Sequence, residues 1–331
     1  MPERDLTIIS GPAVREILED DDLVLRAVTD AYLAHARGQT QTPGTQPLYA
    51  NGGRFFAMPA SIEDDRPIIG VKWVASFVRN VSAGAERAAA MLIVNDAMTG
   101  KPVAIVDGTV ISAKRTAAAA AVALRGLAGT EAPASLALVG CGPINYEILR
   151  FIAHLFPLQR ALLVDLDPSR VDRFASRVKS ELPQITPSAA SLDQALEEAD
   201  VVSFATNATT PYVPSLPKRS FTVLHISLRD LAPEIIAGAY NVVDDVEHVC
   251  SARTSVHLAE QATGTRDFIR GTIPDLLNGT FRYERPDVPT IVSPFGMAIL
   301  DLAVLREVLA HSTGDRKGLI RVENFSDSVW Q

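Results

Sequence analysis

Only two cysteines, Cys141 and Cys250, occur in the 331 residues, too few for a disulfide framework and in keeping with a reducing compartment. The six histidines form no HxxH, HxxxH or Cys/His pair, so no metal site is expected. A basic excess is missing too: 31 Lys and Arg stand against 39 Asp and Glu, a net charge of −8 with no basic cluster, which argues against a nucleic-acid surface. No apolar run is long enough to cross a bilayer, since the alanine-rich residues 116–124 are closed by Arg115 and Arg125. The start, Met1-Pro2-Glu3-Arg4-Asp5, is charged and lacks a signal-peptide core, so a cytoplasmic protein without a membrane partner is expected. There is no low-complexity tract. With 47% hydrophobic and 21% charged residues the composition is that of an ordinary globular protein, and the length favours two domains or one elaborated domain.

What is present is organised around Ser135-Leu136-Ala137-Leu138-Val139-Gly140-Cys141-Gly142-Pro143-Ile144-Asn145. An apolar run short enough for a buried parallel strand breaks into a glycine turn. Beyond it, apolar positions 148, 149, 151, 152 and 155 have the spacing of one helical face. Such a turn lets the backbone approach a pyrophosphate, whose charge then rests on the unpaired N–H groups of the helix start. The third glycine position of the dinucleotide fingerprint holds Asn145, and a turn of this form also serves as an ordinary strand-to-helix connection. The next strand-like run, 160–164, ends at Asp165, twenty residues after Asn145, where a dinucleotide fold places the acid that binds the adenosine ribose. A carboxylate there repels a 2′-phosphate and favours NAD over NADP. Asp167 and Ser169 offer caps of their own to the following helix, which leaves Asp165 free for the ribose.

Residues 201–205, 222–226 and 241–243 read as further parallel strands, with 291–292 a sixth, and helices from about 169 and 192 lie between the early ones. This alternation predicts an α/β fold with a Rossmann-type doubly wound parallel sheet. Ahead of it, residues 6–9 read as a short strand, two helices follow, and 54–60, 67–77, 88–96 and 101–106 read as strands of a mostly antiparallel sheet. These form a second, α+β domain. Residues 38–53, rich in Gly, Pro, Thr and Gln, read as a loop that delivers Arg54. Residues 297–310 read as an amphipathic helix that runs back to the first domain. The expected division is 1–115 with 305–331 for substrate binding and dimerisation, and 116–304 for NAD.

Lys72 lies in a run of Ile68, Ile69, Val71, Trp73 and Val74, where an ammonium needs either an anion or a route to water for its tip. Arg54, Arg87 and Arg115 each adjoin an apolar strand or a helix start, and with Lys72 they form a set of cations able to hold carboxylates. Asp230 follows a predicted parallel strand at its carboxyl end, where ligands bind in such sheets. It reads either as a helix cap or as a general base, in the second case with a pKa raised by an apolar setting.

The chain resembles the ornithine cyclodeaminase/mu-crystallin family along nearly its whole length. The segments that carry the resemblance are Arg54 with Met58-Pro59-Ala60, Gly70-Val71-Lys72-Trp73-Val74, Asn95-Asp96 with Gly100, Arg115-Thr116-Ala117-Ala118, Gly140-Cys141-Gly142, Val164-Asp165, and Gly296-Met297-Ala298 with Asp301. Glu86-Arg87-Ala88, His225-Ile226-Ser227-Leu228-Arg229-Asp230 and Ser293-Pro294-Phe295-Gly296-Met297 are most similar to the branch that oxidises N-(2-amino-2-carboxyethyl)-L-glutamate in siderophore biosynthesis. The resemblance implies that Lys72 and Asp230 are catalytic and that Arg54, Lys72, Arg87, Arg115 and Phe295 bind substrate. It implies that Arg115, Thr116, Gly140, Gly142, Pro143, Ile144, Asn145, Asp165, Thr206, Asn207, Ile226, Ser227 and Leu228 bind NAD, and that the protein is a homodimer. Leu300 departs from the family, where many members carry a glutamate.

The implied reaction is NAD-dependent oxidative hydrolysis of N-(2-amino-2-carboxyethyl)-L-glutamate, with three carboxylates, to 2-oxoglutarate and 2,3-diaminopropionate. The alternatives are an ornithine or lysine cyclodeaminase that recycles its NAD, a related imine reductase, and a protein that binds a small ligand without turnover.

Overall fold

The computed structural model describes residues 5–129, 132–312, 317–323 and 325. Met1 to Arg4, on which the reading of the chain's start rests, lie outside the described residues. The chain divides into two compact units, Met1–Arg115 with Met297–Gln331, and Thr116–Gly296.

In chain order the first unit runs β1 (Leu6–Ile9), α1 (Gly11–Ile17), α2 (Asp21–Ala36), β2 (Thr40–Gln41), β3 (Gln46–Ala50), β4 (Gly53–Ile62), β5 (Ile68–Ser76), α3 (Arg79–Ser82), β6 (Ala88–Asn95) and β7 (Pro102–Asp107), and opens α4 (Thr109–Ala128). The second continues α4 and runs β8 (Ser135–Val139), α5 (Pro143–Leu155), β9 (Arg160–Val164), α6 (Pro168–Glu181), β10 (Thr186–Ala189), α7 (Leu192–Glu198), β11 (Val201–Phe204) and β12 (Thr222–His225). It ends with α8 (Pro233–Gly238), β13 (Tyr240–Val243), α9 (Val246–Val249), α10 (Ser255–Thr263), β14 (Ile269–Thr272), α11 (Ile273–Asn278) and β15 (Thr290–Ser293). The chain then returns to the first unit with α12 (Ala298–Ala310) and β16 (Leu319–Val322).

The first unit's sheet has the order β16-β1-β7-β6-β5-β4-β2, with β3 paired to β4. Its described pairs are antiparallel except β1 with β7. Residues 38–53 are not the loop expected: β3 turns back on β4, placing Tyr49 opposite Arg54 and Leu48 opposite Phe55. This strand is exposed on both faces, so it carries no apolar alternation to betray it.

Helix α12 packs on α2, β4 and β5. It is not amphipathic: every residue from Ala298 to Leu305 is buried, because the helix is enclosed by α2 and the sheet together. Two ion pairs fix its far end to the β4–β5 turn, Arg306 to Asp64 at 2.8 Å and Arg66 to Glu307 at 2.9 Å. The whole helix therefore belongs to the first unit, and the division falls at Met297 rather than near residue 305.

The second unit is an eight-stranded sheet of order β10-β9-β8-β11-β12-β15-β13-β14, with all described pairs parallel. Strands β10 and β14, both at edges, were not legible as apolar runs, since an edge strand of partly exposed residues needs none. In register, Val139 lies opposite Val164 and Phe204, and Phe204 opposite His225, so Asp165, Gly140, Ala205 and Ile226 follow one another along the carboxyl edge. The order turns back on itself at β8, the switch point where such sheets bind ligands.

Candidate active site

In the first unit, Ile68, Gly70 and Lys72 of β5 share the face that meets α12. The approach is close: a Cβ on Gly70 would come within 2.3 Å of Ile93 O and 3.3 Å of the Leu302 side chain. Lys72, 3% exposed, donates from Nζ to Asp301 Oδ1 at 2.9 Å and to Ser112 Oγ at 2.7 Å. On the other side of the same carboxylate, Arg115 Nε lies 3.2 Å from Asp301 Oδ2, an ion pair whose angle makes no hydrogen bond. Burial brings the Lys72 ammonium down from 10.5 to about 8, with Asp301 pulling it up and Arg115 pushing it down again. Two buried cations thus share one buried carboxylate, and the cluster keeps one positive charge.

Arg54 stands on the same sheet face as Lys72. Met58 is opposite Lys72 and Arg54 opposite Ser76, so four residues of extended chain, about 13 Å, separate the two positions along β4. Arg87, half-buried, has its guanidinium lowered first by burial and then by the charge of Arg54 beside it. On the opposite face, Leu48, Ile69, Trp73 and Met91 are each at least 40% exposed.

In the second unit, Gly140 and Gly142 do different work. Gly140 has φ +95° and a Cβ there would meet Ala205 O at 2.5 Å, so the fold itself requires it. Gly142 is the N-cap of α5 with an extended φ of −103°, and a Cβ there would meet nothing within 4 Å. The protein leaves this space open, and with Pro143 at N1 and the first helical bond running from Tyr146 N to Gly142 O, the N–H groups of Ile144 and Asn145 precede the helix's own bonds. A pyrophosphate fits both features.

Two side chains, one in this turn and one at the end of β9, are placed otherwise than expected. The Asn145 side chain is fully buried, donating to Val139 O at 3.0 Å and Gly140 O at 2.7 Å and accepting from Ser203 Oγ at 2.7 Å. It staples the turn to β8 and β11 and is spent on the fold. Asp165 is not free either: it accepts from Cys141 N at 2.8 Å and from Asp167 N at 3.0 Å, although each oxygen keeps a lone pair for a ribose hydroxyl. Burial, and then the charge of Asp165, pushes the Cys141 thiol up to about 12, away from thiolate chemistry near neutral pH.

Beside the turn lies a second cluster, centred on Asp230. Thr206 Oγ1 donates to Asp230 Oδ1 at 2.5 Å, and Ser227 Oγ donates to Oδ2. The Asp230 N–H donates to His225 Nε2 at 3.2 Å, and that nitrogen is 3.4 Å from Oδ2. Burial pushes Asp230 up, but His225, Ser227 and Thr206 outweigh it and hold the carboxyl below its ordinary value. The general-base reading of the sequence expects a raised pKa, and the difference comes from these neighbours, which an apolar setting lacks. Tyr212 adjoins the cluster, its phenol raised by burial and by the charge of Asp230.

Ile226, half-buried, and Leu228, buried with φ +63°, flank Ser227, and Asn207 is exposed next to Thr206. Thr116 is half-buried in α4. Phe295 stacks on His248 at 6.2 Å and donates its N–H to Asp244 at 2.8 Å. Ser112 and Tyr212 escaped the sequence reading, and His225 and Asp301 were noted only as part of the resemblance.

The sequence pattern of the ornithine cyclodeaminase/mu-crystallin family matches residues 12–216. The N-((2S)-2-amino-2-carboxyethyl)-L-glutamate dehydrogenase of Staphylococcus aureus is 29% identical over 291 residues, covering 84% of this chain and 86% of its own. Among solved structures, Thermococcus litoralis Delta(1)-pyrroline-2-carboxylate reductase in complex with NADH and L-proline has a TM-score of 0.86 at 22% identity, covering 94% of this chain and 100% of that one. An archaeal alanine dehydrogenase dimer with bound NAD has a TM-score of 0.83 at 25% identity, covering 94% and 98%. With the family pattern spanning more than half of its length, this chain belongs to the ornithine cyclodeaminase/mu-crystallin family.

Proposed function

We propose that the chain is an NAD-dependent oxidoreductase that interconverts a cyclic or N-substituted amino acid and its imine. The observation that carries the reading is the charge of the Lys72–Asp301–Arg115 cluster. Two cations against one carboxylate leave one positive charge, and the α-carboxylate of a small imino acid is the anion that completes it. Arg115 offers a fork for that carboxylate, and Lys72, at about 8, holds a proton that it releases near neutral pH. Bound at the Gly140–Ile144 turn, NAD supplies the hydride carrier. Asp165 repels the 2′-phosphate of NADP.

Within this class the imine reductase or cyclodeaminase reading comes first, because it asks for one carboxylate. Oxidation of N-(2-amino-2-carboxyethyl)-L-glutamate is the second reading. The proximity of Arg54 and Arg87 favours it, since two neighbouring guanidinium groups suit further carboxylates and repel the distal ammonium of ornithine or lysine.

Absorbance at the NADH band separates these readings. Consumption of NADH with pyrroline-2-carboxylate, or ammonia from ornithine or lysine without net NADH, supports the first; stoichiometric NADH and 2-oxoglutarate from N-(2-amino-2-carboxyethyl)-L-glutamate supports the second. Silence with all of them overturns the proposal. The exposed apolar face of Leu48, Ile69, Trp73 and Met91 suits a homodimer seam, and Trp73→Glu then yields monomers by sedimentation.

A further inference from the structure

A proton that reaches Asp230 has to pass through another group. Asp230 is 0% exposed, and the hydroxyls of Thr206 and Ser227, both half-buried, occupy its two oxygens. These hydroxyls are not equivalent. Thr206 Oγ1 already accepts the N–H of Ala208 at 3.1 Å. Ser227 Oγ shares its single proton between Asp230 and Phe204 O, 3.0 Å away, and its lone pairs accept no hydrogen bond among the described residues. The turn that follows fixes the contact: Leu228 takes φ +63° and its carbonyl accepts from Ser255 N at 2.7 Å, bringing two side chains three residues apart together. Behind Asp230, His225 is wholly buried, with Nδ1 3.5 Å from Ser293 Oγ.

We propose that Ser227 is a catalytic residue, the relay through which a substrate nitrogen exchanges its proton with the buried Asp230–His225 pair. This role rests on the amino-acid and imine reading above. In the oxidative direction an N–H bond of the substrate ammonium breaks as Ser227 Oγ takes the proton. The Ser227 O–H bond breaks as Asp230 Oδ2 takes the second. The nitrogen keeps its electron pair, Ser227 ends as it began, and no electron leaves the set; the reductive direction runs the same transfers backward. Asp230 is ionised and able to accept, since His225 and the two hydroxyls hold it low against burial. The titratable groups that meet it are His225 from β12 and Tyr212 from the segment before Val213.

Two experiments test the relay. The first needs no substrate: carbon-13 titration of the Asp230 carboxyl in the parent and in Ser227→Ala. Loss of the donated hydrogen bond raises the Asp230 midpoint by about one unit, and an unmoved midpoint overturns the relay. The second uses the substrate found active above. Ser227→Ala loses about 100-fold or more in kcat while its Kd for NAD stays within about threefold, and Ser227→Thr, which keeps the hydroxyl, recovers most of the rate. The parent's kcat in mixtures of light and heavy water curves, as two protons in flight require, and that of Ser227→Ala is linear. A loss confined to NAD affinity, or a kcat within about fivefold of the parent, overturns the relay. Inactivity of the parent on every amino acid and imine overturns the functional reading alone, because the titration is independent of it.

Discussion

Asp301→Asn removes one charge and almost no volume from the middle of the Lys72–Asp301–Arg115 cluster. The cations that flank it, 3% and 8% exposed, then lose their shared counter-charge. Breaking a buried pair in this way costs about 3–5 kcal/mol, because the remaining charges cannot return to water. At about 2–4 °C per kcal/mol for a unit of this size, the melt of the first unit falls by roughly 6–20 °C. The pH dependence changes with it. Lys72 titrates at about 8 in the folded chain against an ordinary 10.5, so between these values the unfolded chain holds the extra proton. Stability from this group therefore rises with pH from about 8 to 10.5, and below 8 the cost of burying the ammonium is present in full. Asp301 pulls the lysine up, so without it the folded value drops below 8 and the rise begins at lower pH. Circular dichroism melts of parent and variant across this window measure both effects. A loss under about 1 kcal/mol, no more than an ordinary substitution costs, refutes the reasoning, and so does an unchanged pH dependence.

Three further outcomes are expected. Gly142→Ser fills a space the protein leaves empty with a better N-cap, so stability holds or rises by a few tenths of a kcal/mol while the Kd for NAD rises at least about tenfold; calorimetry of both quantities checks it, and equal affinity would mean that nothing approaches that backbone. Asn145→Ala strands Gly140 O and Ser203 Oγ and costs about 2–4 kcal/mol in urea unfolding, with NAD affinity little changed, the reverse of what a pyrophosphate ligand would show. The kcat/KM falls as pH rises through about 8, where Lys72 gives up its proton and the cluster loses the positive charge that holds the carboxylate, and Lys72→Met, beyond lowering the rate, abolishes that limb of the profile.

The rule that singled out Lys72, a charge in an apolar run, applies equally to Asp301 between Ile299-Leu300 and Leu302-Ala303. It gives no signal there because residues 297–310 read as an amphipathic helix with one wet face, whereas a helix closed in by α2 and the sheet buries whatever it carries. The glycine turn and the strand alternation were legible because each is written in contiguous residues. Asn145 was not, since the hydroxyl that decides its role, Ser203, comes from β11. The direction of the Asp230 shift was hidden for the same reason: Thr206 and His225 reach it from β11's end and from β12. Asp165 was read as free because its partner Cys141 lies in another turn, 24 residues before it.

The chain leaves the first unit at Arg115 and re-enters it at Met297, and this order has a consequence for synthesis. Lys72 precedes Asp301 by 229 residues, which at about 5–20 residues per second is a delay of roughly 10–50 s on the ribosome. During that time the whole of the second unit emerges and is free to fold, while β4 and β5 wait without the helix that covers them and with an ammonium that has no carboxylate. The unit that starts first thus finishes last, and a nascent chain stalled before Met297 displays a bare apolar sheet face, the surface that chaperones recognise.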